Sequence, residues 1–426
     1  MSHFAFVAPA FPSHFRALQS VARRLLDDGH RVTFFHQADA ATLLDDPRIG
    51  FEPLGHDSHP PGALAQSLKR AASPGGPLGL RRVIADVAAT TDMLCRHLPA
   101  AVERAGVDVL VCDQMEAAGG LVAEALGLPF VSVACALPVN REAGLPLPVM
   151  PWAYARDPRA QHIADASTGV YDRLMAPHGR VIAHHAKAFG LPARTGLHDC
   201  LSPYAQISQT VPAFEFPRSA LPTCFHQVGP LRDEAPDPAL ELPLTGDRPV
   251  VFASLGTLQG QRLPVFRRIV RACRRLDVQL VLAHCGGLSQ AQARSLAERD
   301  RVHVVDFAPQ RAMLARADAV VSHAGLNTVL DACVAGTPIL AMPIAFDQPG
   351  VAARVVHAGA GLKASVHLAS PWRIARDLDR LLAEPHFAQR AGHIGAAVRD
   401  AGGAARASAI LQQVARTGQP VMADAA

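Results

Sequence analysis

Residues Ser322 to Gly350 read SHAGLNTVLDACVAGTPILAMPIAFDQPG. The apolar run Ala319-Val320-Val321 before them has the character of a short buried strand, and Ile339-Leu340-Ala341-Met342 that of the next. Between the two, His323, Gly325 and Asn327-Thr328 open a helical pattern with Val329, Leu330 and Cys333 on one face, and Gly336-Thr337-Pro338 ends it. A small polar segment joining a strand to a helix N-terminus suits an anion, because unpaired backbone N–H groups and the positive dipole end both face it. Phe346-Asp347-Gln348 then follows the second strand at its C-terminal end, where α/β folds bind ligands.

The same strand–loop–helix alternation runs through the rest of the 426-residue chain. Near the N-terminus, strand Phe4 to Ala8, helix Phe15 to Asp28 and strand Arg31 to His36 predict a right-handed βαβ unit. Its first loop lacks G-x-G-x-x-G, which argues against a dinucleotide cofactor. Strands near Phe51 to Leu54, Val107 to Cys112, Phe130 to Ala134, Ala205 to Ser208 and Phe225 to Val228 continue the first half. The helices are expected over Leu80 to Glu103, Glu116 to Leu126 and Ala160 to Phe189. His56 to Gly79, with its Pro and Gly, reads as loose chain, and Leu137 to Pro158 as an apolar, Pro-rich loop. That loop either packs on its own domain or walls a cleft for an apolar ligand.

Asp233 to Pro249 is rich in Pro and acid and reads as an interdomain linker. A second alternation starts with strand Val250 to Ser254 and loop Leu255-Gly256-Thr257, continues with strands Val278 to Ala283 and Val302 to Val305, and closes with three amphipathic helices from Trp372 to Ala415. The expected architecture is α/β, two Rossmann-like domains (1–232 and 250–426) facing across a cleft, with the last helix free to pack back on the first domain.

A hydrophobic content of 49% with 18% charged residues fits a well-buried globular chain and excludes disorder. A net charge of +4, with no basic stripe interleaved by aromatics, gives no sign of nucleic-acid binding. Eight widely spaced cysteines without C-x-x-C suggest buried thiols in a reducing compartment. There is no signal-peptide pattern and no run long enough to span a bilayer, so a cytoplasmic protein, peripheral at most to the inner membrane face, is expected. No metal clamp is evident. Asp377-Leu378-Asp379 is a formal D-x-D, but i and i+2 diverge on a helix, and it reads as a solvated face.

Four elements occur in order within about forty residues: Phe307-Ala308-Pro309-Gln310, His323-Ala324-Gly325-Leu326-Asn327-Thr328, Asp331 and Asp347-Gln348. Together they resemble the donor signature of family 1 UDP-glycosyltransferases of the GT-B fold. The resemblance implies Phe307 under a uracil ring, where many members have Trp, and Gln310 and Asp331 on the ribose. It implies His323, Gly325, Asn327 and Thr328 at the diphosphate, with Gly256-Thr257 adding backbone N–H groups. Asp347 and Gln348 would take the sugar hydroxyls. His14, just after the first strand, stands where this family carries its catalytic base, and Asp113 at a neighbouring strand end is suited to hold its tautomer. Metal-independent, inverting transfer from UDP-glucose, without a cofactor, is what the family implies.

Further stretches, among them FASLGTLQG at Phe252 and CALPVNREAGLPLPVMP at Cys135, are similar to the bacterial zeaxanthin glucosyltransferase group within that family. The acceptor implied is zeaxanthin, giving mono- and diglucosides, with transient contact at a membrane surface. Phe11, Leu137, Leu145, Leu147, Val149 and Trp152 are the candidates for its slot, or else domain core. Macrolide, sterol or lipid acceptors, a GT-B sugar-nucleotide epimerase and a non-catalytic binding protein are the rival readings, and the oligomeric state is open.

Overall fold

Two parallel sheets built on one plan organise the chain. The computed structural model describes residues 1–233, 242–298 and 301–423. The first sheet contains β1 (His3–Val7), β2 (Arg31–Gln37), β3 (Gly50–Leu54), β4 (Val109–Asp113), β5 (Phe130–Ala134), β6 (Ala205–Ser208) and β7 (Phe225–Gln227). Around it lie α1 (Pro12–Asp27), α2 (Ala63–Ala72), α3 (Pro77–Ala105), α4 (Ala117–Leu126) and α5 (Pro158–Ala188). The second sheet contains β8 (Val250–Ser254), β9 (Gln279–Ala283), β10 (Val302–Val305), β11 (Ala319–Ser322), β12 (Ile339–Ala341) and β13 (Gly361–Lys363). Its helices are α6 (Leu263–Cys273), α7 (Gln290–Arg294), α8 (Gln310–Arg316), α9 (Leu326–Ala335), α10 (Gln348–His357), α11 (Pro371–Ala383), α12 (His386–Asp400) and α13 (Gly403–Thr417).

The strand orders, 3-2-1-4-5-6-7 and 10-9-8-11-12-13, both reverse after their first strand. Each sheet therefore has a crevice where connections diverge, between β1 and β4 in one and between β8 and β11 in the other. Strands with burial on both faces, such as FAFV in β1 and VLVC in β4, can be so apolar because helices cover both sides.

The last helix crosses back. Ala407, Ile410, Leu411 and Val414 of α13 share one core with Leu18, Val21 and Leu25 of α1. Two local expectations are corrected. The stretch taken as loose chain holds α2, which Asp39 starts by accepting the N–H groups of Gly62 and Leu64, and whose Leu64 and Leu68 pack on the first core. Asp377 does not face solvent: it is buried, accepting from Arg373 Nε at 2.7 Å and Arg376 Nη2 at 3.0 Å. Most of the expected linker, 234–241, lies outside the described residues. All eight cysteines are free and seven are buried. Among the described residues no helix is long and apolar enough to cross a membrane.

Candidate active site

His14 and Asp113 meet at the crevice of the first sheet. Pro12 presets the first turn of α1, immediately beyond β1, and this turn carries His14. Val7 pairs with Cys112 across β1 and β4, so Asp113 emerges at the adjoining strand end. His14 Nδ1 lies 2.7 Å from Asp113 Oδ2, and Asp113 Oδ1 accepts the Met115 N–H at 2.8 Å. An ionised carboxylate only accepts, so Nδ1 carries the proton and Nε2 keeps its lone pair. Burial disfavours the charged ring, but attraction to Asp113, the hydrogen bond to it and the field of Asp347 outweigh that and raise the imidazole above its usual range. Cys135 lies behind the pair, with Sγ 4.0 Å from the His14 carbonyl. Donor atoms of His14, Asp113 and Cys135 fall within 4.8 Å of one another. Burial holds that thiol far above its ordinary value, so at neutral pH it is an uncharged packing group and a poor metal ligand.

The second domain approaches this pair through the β12–α10 turn. Asp347 Oδ2 accepts the Leu137 N–H at 3.2 Å, a contact between the two halves. Burial raises the Asp347 carboxyl, while the Leu137 N–H and His14 oppose the shift. Phe346, in left-handed backbone at φ 57°, sets its ring edge-on to Phe11 at 5.7 Å, and Phe11 lies 5.9 Å from the His14 ring. A non-glycine residue there is strained, and the strain turns an aromatic ring toward the cleft. Nothing in the sequence marks that φ. Gln348 is already partly occupied: its Oε1 accepts from the Ile344 and Ala345 N–H groups, both at 2.9 Å.

His323 follows β11 at the crevice of the second sheet. Its ring is held between two glycines. A Cβ on Gly256 would lie 2.7 Å from the ring, and one on Gly325 2.6 Å. Burial drives the imidazole down to about 4, against a backbone hydrogen bond with Ser254, so it is neutral at pH 7. Its buried Nδ1 and the Asn327 Oδ1 have no partner among the described residues. Gly325 caps α9 without a side-chain bond, which leaves the first N–H groups of that helix available. Thr328 Oγ1 donates to Gln310 Oε1 at 3.0 Å, and Gln310 Nε2 donates to Asp331 Oδ2 at 2.8 Å. Arg232, at the end of the first domain, forms an ion pair with Asp331, a contact between distant segments that the sequence reading missed. Thr257 is exposed and Phe307 is 67% exposed at the rim.

The acceptor candidates divide. Phe11 and Val149 are half-buried and Trp152 is exposed, whereas Leu137, Leu145 and Leu147 are buried. Leu137 joins the core of the second domain, and Leu145 packs with Phe216 and Ala353. Leu137 and Leu145 are thus core where the two halves meet, because the proline-rich loop seats on α10, and Leu147 is buried in the same loop. There Gly350 lets the Pro148 carbonyl come close, at 2.0 Å from where a Cβ would stand.

Two Rossmann-like domains, one with a paired imidazole and carboxylate at its sheet crevice and the other with an open helix N-terminus at its own, define a GT-B nucleotide-sugar glycosyltransferase. The chain belongs to the UDP-glucoronosyl and UDP-glucosyl transferase family, whose profile matches residues 201–400. It is 52% identical over 424 residues to a zeaxanthin glucosyltransferase of Pantoea ananas, covering 99% of this chain and 98% of that one. It is 48% identical to a zeaxanthin glucosyltransferase of Pseudescherichia vulneris, covering 97% and 98%. Among solved structures, the glycosyltransferase of kitacinnamycin matches at TM-score 0.74 with 21% identity, covering 97% of this chain and 98% of that one. The calicheamicin glycosyltransferase CalG4 also matches at 0.74, with 19% identity, covering 98% and 99%.

Proposed function

We propose that this protein transfers glucose from UDP-glucose to the ring hydroxyls of zeaxanthin, giving first the mono- and then the diglucoside, with inversion at the anomeric carbon. The acceptor assignment rests on the full-length relatives at 52% and 48% identity. The observation that carries the mechanism is the His14–Asp113 pair, 2.7 Å apart through Nδ1, which leaves Nε2 of the neutral ring as the acceptor.

In this reading the acceptor hydroxyl gives its proton to His14 Nε2 as its oxygen bonds to the glucose C1, and the bond from C1 to the diphosphate oxygen breaks. Asp113 stabilises the imidazolium that forms and fixes the ring. Negative charge growing on the departing UDP is met by the α9 N-terminus, by Asn327 and by the neutral His323, without a metal ion. Gln310 and Asp331 bind the ribose, Phe307 lies on the uracil, and Asp347 and Gln348 orient the sugar. The exposed ring of Phe307 and the unpartnered Nδ1 of His323 support these roles. Phe11 and Phe346 flank the acceptor hydroxyl, and the apolar remainder of the acceptor reaches the cleft from a membrane that the enzyme touches transiently from the cytoplasmic side. The domains divide near 232 and 250.

The test is an assay of purified protein with UDP-glucose and detergent-dispersed zeaxanthin. UDP release with stepwise appearance of two β-glucosides is expected. Glucosylation of a different hydroxyl compound, with zeaxanthin untouched, would overturn the acceptor and leave the donor site standing.

A further inference from the structure

Two long helices, α3 with 29 residues and α5 with 31, flank the first domain. Each returns between parallel strands of one sheet, so they run in the same direction and both begin at the edge where His14 and Asp113 sit. They are fastened midway, Thr91 Oγ1 to His178 Nε2 at 3.0 Å and His185 Nε2 to Asp92 Oδ1 at 2.8 Å. About four turns of α3 and about five and a half of α5 precede the Thr91–His178 fastening, roughly 20 and 30 Å of helix on the cleft side.

These leading turns carry an unusual surface. On α5, Arg159, Ile163, Val170 and Leu174 share one exposed stripe, and Val170 is 63% exposed. At the start of α3, Leu78 is 71% exposed beside the exposed Arg81 and Arg82. The acids nearby are engaged. Asp86 pairs with Arg70 at 2.7 Å and Asp172 with Arg141, Asp165 accepts the Gly144 N–H, and Asp157 caps α5. Arg81, Arg82, Arg159 and Arg173 have no hydrogen bond or ion pair among the described residues. Free cations beside exposed aliphatic side chains on helix starts match an anionic lipid surface: apolar groups enter the acyl boundary and guanidinium groups meet phosphate. The Gly144 and Arg141 contacts join this surface to the loop after β5, whose Leu137 N–H donates to Asp347.

The geometry points to the leading turns of α3 and α5 as a docking surface for an anionic bilayer, which delivers the acceptor to the cleft. It rests on the reading of the acceptor as a membrane-dissolved polyene alcohol. The test is co-sedimentation of the full chain with phosphatidylcholine vesicles, with and without phosphatidylglycerol. Wild type should bind the anionic vesicles preferentially and lose that binding as salt rises. The double variants R81E/R82E and V170E/L174E should each bind at least about tenfold more weakly. Both should turn over zeaxanthin in detergent as wild type does, and lose activity only when zeaxanthin is embedded in vesicles. Wild-type binding by both variants, or no preference for anionic vesicles, overturns the proposal. So does a change of V170E/L174E from dimer to monomer with vesicle binding intact, since that would make the face a self-association surface. Vesicle binding that the variants lose, in a protein inactive on zeaxanthin, supports docking and removes the acceptor reading.

Discussion

His14 and Asp113 stand 99 positions apart in sequence, and their side chains meet at 2.7 Å because β1 and β4 are neighbours at the point where the strand order reverses. The pair sets a pH dependence with a definite sign. Asp113 and Asp347 raise the imidazole despite its burial, so the proposed base is lost to protonation as pH falls through a value above 6.5. In Asp113→Asn the attraction goes and burial stays, so the acid limb of kcat/KM should move to lower pH while kcat drops. His14→Ala should lower kcat by about 10² or more and abolish that limb. An unshifted limb in Asp113→Asn, measured from pH 5 to 9, would exclude this pairing from the titration.

His323 is expected to behave in the opposite way. Held near 4, it stays neutral down to pH 5 and contributes no limb to the profile. Its position depends on the absence of two side chains. Gly256→Ala and Gly325→Ala should each push the ring aside, and Gly256→Ala adds the strain of a φ of 74°. The KM for UDP-glucose should rise about tenfold or more in both, with Gly256→Ala also losing roughly 1 kcal/mol of stability. Donor titration and thermal unfolding separate the two effects; unchanged donor affinity in both variants would remove His323 from the diphosphate site.

The two halves of the fold were legible because each strand is a short apolar run bounded by Gly, Pro or a polar turn, and the alternation leaves few topologies. The helix N-terminus at His323 to Thr328 was legible because its turn and cap residues cluster between two short apolar strands. Local contacts were easier to read than distant ones. Asp113 as partner of His14 follows from strand adjacency, whereas Arg232 at Asp331 and Leu137 at Asp347 join segments that no local pattern connects. α2 was hidden because its apolar face is only Leu64, Leu68 and Ala71 between Gly- and Pro-rich flanks. Asp377 was misread because an acid on an amphipathic helix is usually solvated, and only the fold shows two arginines closing over it.

Glu116, which caps α4, should make stability depend on pH. Burial raises its carboxyl from 4.5 to about 7, against hydrogen bonds from Ala118 N–H and the Thr91 hydroxyl, with Asp113 adding to the rise. The folded state therefore holds a proton that the unfolded state releases near 4.5. Its contribution is full below that pH and is lost as pH rises through about 7. Urea unfolding at pH 5, 6, 7 and 8 should show stability falling by a few kcal/mol across this window. Glu116→Gln keeps the acceptor oxygen and should flatten the slope; an equal slope in the variant would assign it elsewhere.

A buried ion pair fastens the two domains beside the site. Arg354 of α10 donates from Nε to Glu215 Oε1 at 2.5 Å and from Nη1 to the Gly350 carbonyl at 3.2 Å, and its guanidinium lies 4.2 Å above the Phe216 ring. Glu215 Oε1 also accepts the Phe216 N–H at 2.9 Å. α10 begins one residue after Asp347, so this pair holds the Asp347 carboxyl where its field reaches His14. Both partners are almost fully buried, and the buried guanidinium of Arg218 also lies 4.0 Å from Glu215 Oε1, so removing Glu215 leaves two cations without compensation. Glu215→Ala should cost about 3–5 kcal/mol, whereas Glu215→Leu with Arg354→Met, which leaves only Arg218 without its partner, should cost less than Glu215→Ala alone. Urea unfolding of the single and double variants makes the comparison. If the double variant is the less stable of the two, the pair stabilises by attraction beyond its desolvation cost. If it is the more stable and yet shows a raised KM for UDP-glucose, the pair serves to position Asp347, and the fold tolerates its expense in return for a closed cleft.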